Sequence, residues 1–362
     1  MIVTANKYVN ARAGKPFRDA PNPFFLKPGD QIEIEKRIYG ESVEGSNIWY
    51  LGKDGNLYTS KGFINDKMDE VPITNNSSLF EEWRINDAWK ITKGKGIRIA
   101  IIDGGFDMSN KAITNNDNQI IGEIKNDYHG TYMASIISGS DYMGGYLGLV
   151  PEATIFYSCI DIENFKQEDL YNCLLGLPNM DIISMSFSRF HTDFENPVLN
   201  MKLLNLISQM RNDYNTVFVA STGNEGNKIK RYPAAYKETV LSVSGQSSKL
   251  NEVDGNSSMW DAVSLIAPYI GYFDKSNSFQ KDFQFPTTVN VNGTSSSTAF
   301  VAGILSIIKN IHYIKNQKKI TQSEVIEKYL EQVSVLFTGS SGTTYSCKTN
   351  IIKKSEFLNL LK

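Results

Sequence analysis

Residues 96–103, Gly-Ile-Arg-Ile-Ala-Ile-Ile-Asp, form an almost unbroken apolar run, the pattern of a strand buried on both faces. Runs of the same kind recur at residues 153–158, 181–187, 216–220 and 239–243. Segments of helical length, residues 132–138, 167–175 and 197–211, lie between them. Strands alternating with helices predict an α/β region whose parallel sheet is covered by helices on both faces. In such sheets the functional groups gather beyond the carboxyl ends of the strands.

The first 80 or so residues follow a different rhythm. Short alternating or β-branched stretches at 31–37 and 47–51 are separated by Pro28-Gly29-Asp30 and Asp54-Gly55-Asn56, the latter a hairpin signal. A small all-β barrel or sandwich is expected there. The polar run Thr74-Asn75-Asn76-Ser77-Ser78 reads as a linker. It divides the chain into residues 1–78 and 79–362.

Composition narrows the function. The 362 residues carry 37 Lys and Arg against 39 Asp and Glu, a net charge of −2. Broad nucleic-acid binding needs a clustered basic surface, so nucleic acid is not an expected partner. No run approaches the roughly 18 apolar residues of a membrane span, and no membrane partner is expected either. Three cysteines, Cys159, Cys173 and Cys347, are odd in number and lack metal-ligand spacing. They read as reduced, structural thiols. The first residues show no charged segment followed by an apolar one, which points to a cytoplasmic location. No loop carries the spaced acids of an EF-hand, and no cofactor is expected.

The candidate chemistry rests on three residues that are bland one at a time. Asp103 closes the first apolar run before Gly104-Gly105, a common place for a turn former. His129 opens His129-Gly130-Thr131, while His191 and His312 sit in plain polar surroundings. Ser295, in Gly293-Thr294-Ser295, precedes a long apolar segment and by itself reads as a helix cap. Together they supply a nucleophile, a base and an acid to orient the base. A fourth segment, Ala220-Ser221-Thr222-Gly223-Asn224-Glu225-Gly226, lies between the His and the Ser.

The order Asp, His, Ser with these flanking residues resembles the subtilases, the subtilisin-like serine proteases. The resemblance spans about residues 84–355 and includes Trp89, Gly148-Leu149-Val150-Pro151, Ser184-Met185-Ser186 and Tyr232-Pro233-Ala234. It implies a subtilisin-like fold and a serine endopeptidase acting on protein or peptide through an acyl-enzyme on Ser295. His129 is then the base, Asp103 its orienting acid and Asn224 an oxyanion donor. Ser186, Phe187 and Ser188 are implied to pair with an extended substrate, and Ala220, Ser221, Thr222 and Gly223 to line the same site. Arg231, just before Tyr232-Pro233, falls at the base of the pocket for the side chain preceding the scissile bond. There it either points to water or meets an acidic substrate side chain. Subtilases also carry irregular calcium sites, so a structural calcium stays open.

Several positions depart from the family pattern. Gly104 replaces the usual hydroxyl residue, which leaves Asp103 one hydrogen bond short. Tyr132, Ser135, Ser188, Ser296, Ser297 and Ala299 also differ, and none is a proton-transfer group. The stretches 9–14, 26–34 and Trp49-Tyr50 resemble bacterial SH3-like domains. That implies a peptide or glycan ligand for the N-terminal region, with a propeptide as the other reading. The rival to an active enzyme is a catalytically silent subtilase-fold binding module.

Overall fold

Two units divide the chain. The computed structural model describes residues 2–14, 20–43, 46–64, 82–109, 113, 118–125, 127–139, 148–190, 196–236, 239–247, 252–261, 263–268 and 293–362. The linker at Thr74 to Ser78, the expected boundary at 78 and His191 lie outside these residues.

The N-terminal unit is all-β, as its turn chemistry predicts. It contains β1 (Ile2–Ala5), β2 (Val9–Asn10), β3 (Arg12–Ala13), β4 (Phe25–Leu26), β5 (Gln31–Val43), β6 (Ser46–Gly52), β7 (Asn56–Thr59) and β8 (Phe63–Ile64). The antiparallel sheet runs β3-β7-β6-β5-β1-β8, with β2 and β4 paired separately. Gly55 turns the β6–β7 hairpin at φ +80°, a region that favours glycine. Asp54 stiffens that turn by accepting a hydrogen bond from the Asn56 amide at 3.1 Å. Val3, Val9, Ile34, Tyr50, Tyr58 and Phe63 make its core.

The second unit begins with α1 (Ile85–Ile91), β9 (Arg98–Asp103), β10 (Asn118–Ile121), α2 (Tyr128–Ser138), β11 (Thr154–Cys159), α3 (Gln167–Leu175) and β12 (Ile182–Met185). It continues through β13 (Arg189–Phe190), α4 (Pro197–Tyr214), β14 (Val217–Ser221), β15 (Arg231–Tyr232), β16 (Leu241–Gln246), β17 (Glu252–Val253) and β18 (Leu265–Pro268). The last elements are α5 (Thr294–Asn316), α6 (Gln322–Tyr329), β19 (Leu330–Thr338), β20 (Thr344–Ile352) and α7 (Lys354–Leu360). Helix α2 starts earlier than the apolar pattern suggests, because the Asp127 carboxylate caps it by accepting from the His129 amide. Helix α4 starts on an Asn196 cap with Pro197 in its first turn and stops at Asn215 in the left-handed region.

Parallel strands run in the order β10-β11-β9-β12-β14-β16, with β18 parallel beside β16. The chain thus adds strands first to one side of β9 and then to the other. The carboxyl end of β9 is therefore a topological switch point, where open α/β sheets place their sites. Ala100 and Ile102 face a core shared with Leu170 and Leu174 of α3 and Leu203 and Ile207 of α4. Side chains alternate along a strand, so Ile99, Ile101 and Asp103 face the other layer. Helix α2 packs against β9 there, and α5 runs across β12, β14, β16 and β18. Both faces are covered.

The parallel sheet is extended by one antiparallel element that the apolar pattern does not announce. Strands β19 and β20 form an antiparallel hairpin that joins the sheet through β17 and β18, making it mixed. Their alternating, half-exposed pattern differs from the continuous apolar runs that mark the buried parallel strands. Helix α5 is long and apolar enough by composition to cross a membrane, yet 83% of its apolar window is buried inside the protein. Core helices that are apolar all round have this character.

Lys309 lies inside this core at 2% exposure. Its Nζ donates to the carbonyls of Asn215 (2.6 Å) and Ile320 (3.0 Å), tying α5 to the end of α4 and the start of α6. Burial pushes the ammonium down to about 8, Asp181 and Glu324 opposing and Lys319 assisting. Between that value and 10.5, the unfolded lysine holds a proton that the folded one has shed, so stability rises with pH. Urea unfolding of the native protein and Lys309→Met at pH 7 and pH 10 should show the difference shifting in favour of the native protein at pH 10. An unchanged difference would contradict this reading.

Candidate active site

The Asp103 carboxylate closes β9 in a fully buried position. Its Oδ1 accepts from His129 Nδ1 at 2.7 Å and from the Gly104 amide at 2.7 Å. Oδ2 has no hydrogen-bond partner among the described residues. This is the missing bond expected from glycine at position 104. The His129 side chain is 35% exposed, and Nδ1 faces the carboxylate. An ionised carboxylate only accepts, so the neutral ring carries its proton on Nδ1 and leaves Nε2 as the acceptor.

Helix α2 can bring His129 this close only because Gly130 follows it. A Cβ at Gly130 would lie 2.2 Å from the Gly105 carbonyl oxygen and 2.9 Å from Asp103 Cβ. Asp127, which the motif search passed over, caps α2 through the His129 amide at 2.7 Å. An Asp just before a helical run is a readable cap signal. Burial pulls the His129 imidazole down, but the charge and hydrogen bond of Asp103, with Asp127 adding to them, leave it raised above 6.5.

Ser295 stands in the first turn of α5, 9% exposed. Its hydroxyl donates to the Ser186 carbonyl at 2.9 Å, and the Ser186 hydroxyl donates back to the Ser295 carbonyl at 3.1 Å. Its hydroxyl is thus turned to the end of β12, away from a hydrogen bond with His129. The neighbouring departures are all accommodated. Ser296 donates to the Gly293 carbonyl at 2.8 Å, Ser297 to Pro268 at 2.8 Å and Ser135 to Tyr132 at 2.7 Å.

Asn224 follows β14 on an exposed loop. Its Oδ1 accepts from the Thr294 amide (2.8 Å) and the Thr294 hydroxyl (3.0 Å). That fixes the amide with its donor end over Gly293, whose Cβ, if present, would lie 3.1 Å from Nδ2. Thr294 is the residue that sequence reasoning missed here, although it stands in the Gly-Thr-Ser motif itself.

The expected substrate strands divide into backbone and side-chain roles. Residues 186–188 continue past the last ladder pair, Met185 with Ala220. Phe187 turns its ring into the core against Phe165, centroids 4.9 Å apart, so only its main chain can meet an extended ligand. Ala220, Ser221 and Thr222 are likewise buried. Gly223 and Ser188 face each other, a Gly223 Cβ falling 3.1 Å from Ser188 Oγ and 2.8 Å from Arg231 Cδ.

Arg231 does not point to water. It is 5% exposed, ion-paired through Nε with Glu225 at 3.0 Å, and its guanidinium lies 4.0 Å from the Phe190 ring centroid. Burial lowers its pKa, Arg189 adding to the effect and Glu225 resisting it. Glu225, within the Asn224 segment but given no role by the motif, supplies the counter-charge. Among the described residues, no three His, Cys, Asp or Glu side chains group closely enough to hold a metal ion.

The Subtilase family model matches residues 94–338, which include all of these groups. The chain is a subtilase. It is similar to the major intracellular serine protease of Bacillus subtilis (strain 168), 26% identical, with 82% of this chain and 99% of that protein covered. It is also 28% identical to the minor extracellular protease Epr of the same organism, over 65% of this chain and 36% of that protein. Among solved structures, the prenylagaramide maturation protease PagA overlays with a TM-score of 0.59 at 20% identity, over 77% of this chain and 98% of that one. A lanthipeptide protease overlays at 0.56 and 15% identity, covering 78% and 96%. Both share the fold.

The subtilase has three histidines, so their imidazole signals are separable by NMR. His129 should titrate above 6.5 in the native protein, and Asp103→Asn should bring it below, leaving burial as the main influence. An unchanged midpoint would show that Asp103 does not hold the imidazolium.

Proposed function

We propose that this subtilase is an active serine endopeptidase that cleaves peptide bonds through an acyl-enzyme on Ser295. The observation that carries the reading is the 2.7 Å bond between the buried Asp103 and His129, on the layer where α5 holds Ser295 in its first turn. On substrate binding, the Ser295 hydroxyl turns from the Ser186 carbonyl to His129 Nε2. Such hydrogen bonds are commonly loose in unliganded enzymes and tighten in the reacting complex. His129 takes the proton as Oγ attacks, then returns it to the leaving amine. Asp103 holds the tautomer and stabilises the imidazolium. The oxyanion forms where Asn224 Nδ2 and the amide dipoles of the α5 N-terminus point.

The substrate on this reading is a protein or peptide segment in extended form, added as a strand beside residues 186–188. Its main chain supplies the contacts, which fits the buried side chains there. Agreement along 99% of an intracellular protease supports an intracellular site of action. For the N-terminal unit we favour an SH3-like targeting module with a peptide or glycan ligand. The exposed rings of Tyr8 and Phe25, 5.4 Å apart, suit either.

The second reading, a silent binding module, draws on the Ser295 hydroxyl being turned to Ser186. A serine-directed fluorophosphonate separates the two. The native protein should be labelled and should cleave peptides. Ser295→Ala should lose both while keeping its thermal transition within a few degrees, since it forfeits one neutral hydrogen bond, to the Ser186 carbonyl, worth about 1 kcal/mol. A folded native protein that takes no label would favour the binding module.

The internal partner of Arg231 bears on specificity. With Glu225 already beside the guanidinium, an acidic substrate side chain gains little there. Matched peptides with Glu or Leu before the scissile bond should differ by less than about fivefold in kcat/KM, under roughly 1 kcal/mol. A preference for Glu that vanishes in Arg231→Ala would restore the acidic-pocket alternative.

A further inference from the structure

Asn224 stabilises an oxyanion only if the loop that bears it, residues 223–227, stays in place. Three elements hold that loop. From α5, Thr294 Oγ1 accepts from the Gly223 amide at 3.1 Å. From the segment after β17, the Ser258 amide donates to the Gly223 carbonyl at 2.8 Å and Ser258 Oγ to Glu225 at 3.1 Å. The Asn256 carbonyl accepts from the Gly226 amide at 2.8 Å.

The third element is remote in sequence. The turn between β19 and β20 places Ser340 against Gly226, whose carbonyl accepts from the Ser340 amide at 2.8 Å and from its hydroxyl at 3.1 Å. Gly226 has φ +58°, and a Cβ on it would lie 3.1 Å from both the Cβ and the amide nitrogen of Ser340. Just beyond, Lys228 Nζ sits 3.4 Å from the Tyr345 ring centroid of β20. The loop therefore carries Asn224 on one side and is capped by the hairpin on the other.

Resting on the endopeptidase reading above, we propose that Ser340, at the tip of the β19–β20 hairpin, is a positioning residue that holds the Asn224 loop in register for the oxyanion. Its effect falls on the transition state, because the ground-state substrate is gripped by main chain at residues 186–188 on a different element. Loss of the tip should therefore lower kcat and leave KM in place.

The test is a double-mutant cycle in the full chain. Ser340→Ala should lower kcat about threefold, the size of one weak neutral hydrogen bond. Replacing residues 339–343 by Asn-Gly, which removes both bonds while keeping a tight turn, should lower it about tenfold to fiftyfold, with KM within twofold. Ser340→Thr keeps the hydroxyl and should restore most of the rate. Asn224→Ala should lower kcat about 10²- to 10³-fold, the magnitude known for a subtilisin. In that background, neither tip change should lower kcat by more than about a further twofold.

Full additivity in the Asn224→Ala background, or an unchanged kcat in both tip variants, would overturn the proposal while leaving the protease reading intact. A native protein without labelling or turnover overturns that reading and this role with it. If the shortened tip does not fold, Ser340→Ala decides, since it alters only an exposed turn.

Discussion

A carboxylate with no exposed surface, at the end of a central strand, has to be matched by donors or a cation where it lies. Asp103 is matched by His129 and the Gly104 amide, both on Oδ1. Much of the local structure follows from that requirement. Helix α2 has to approach β9 closely, which demands glycine at position 130. Its first turn has to be capped so that the imidazole is held at a fixed height, and Asp127 does this. The same carboxylate keeps the imidazolium favourable against burial, the property a general base needs when it takes up a proton in a partly dry site.

The opposite half of the site is built from backbone and hydroxyl contacts rather than charge. Ser295 and Thr294 belong to the first turn of a helix buried along most of its length, so their positions are set by the packing of α5 across the sheet. Thr294 passes that rigidity to Asn224 through two hydrogen bonds. Glu225 of the same loop pairs with Arg231 and neutralises a charge that would be expensive to bury alone. One short segment thus carries both Asn224, anchored on Thr294, and the carboxylate that balances Arg231.

Much of this was legible without coordinates. Continuous apolar runs marked the buried parallel strands, and their alternation with helices set the layered α/β architecture. Asp103, His129, Asn224 and Ser295 stand in short motifs whose order is informative because each flanking residue has a local backbone reason. Gly130 permits close approach, and Asp127 caps the helix that carries His129. Arg231 shows the limit of such reading. A charged residue before Tyr-Pro can face water or a pocket, and only the nearness of Glu225 and Phe190 decides its surroundings.

What the sequence determined by itself was local: the buried parallel strands, the helical segments between them, and the motifs that hold Asp103, His129, Asn224 and Ser295. Periodicity, propensity and capping act over a few residues, so one chain suffices to read them. What tertiary structure alone decided was which distant segments meet. The antiparallel hairpin that makes the sheet mixed, the orientation of Ser295 towards Ser186, the burial of Phe187 and the contact of Ser340 with Gly226 all join segments far apart in sequence. Such contacts depend on packing two layers against one sheet, and no pattern confined to either segment encodes them.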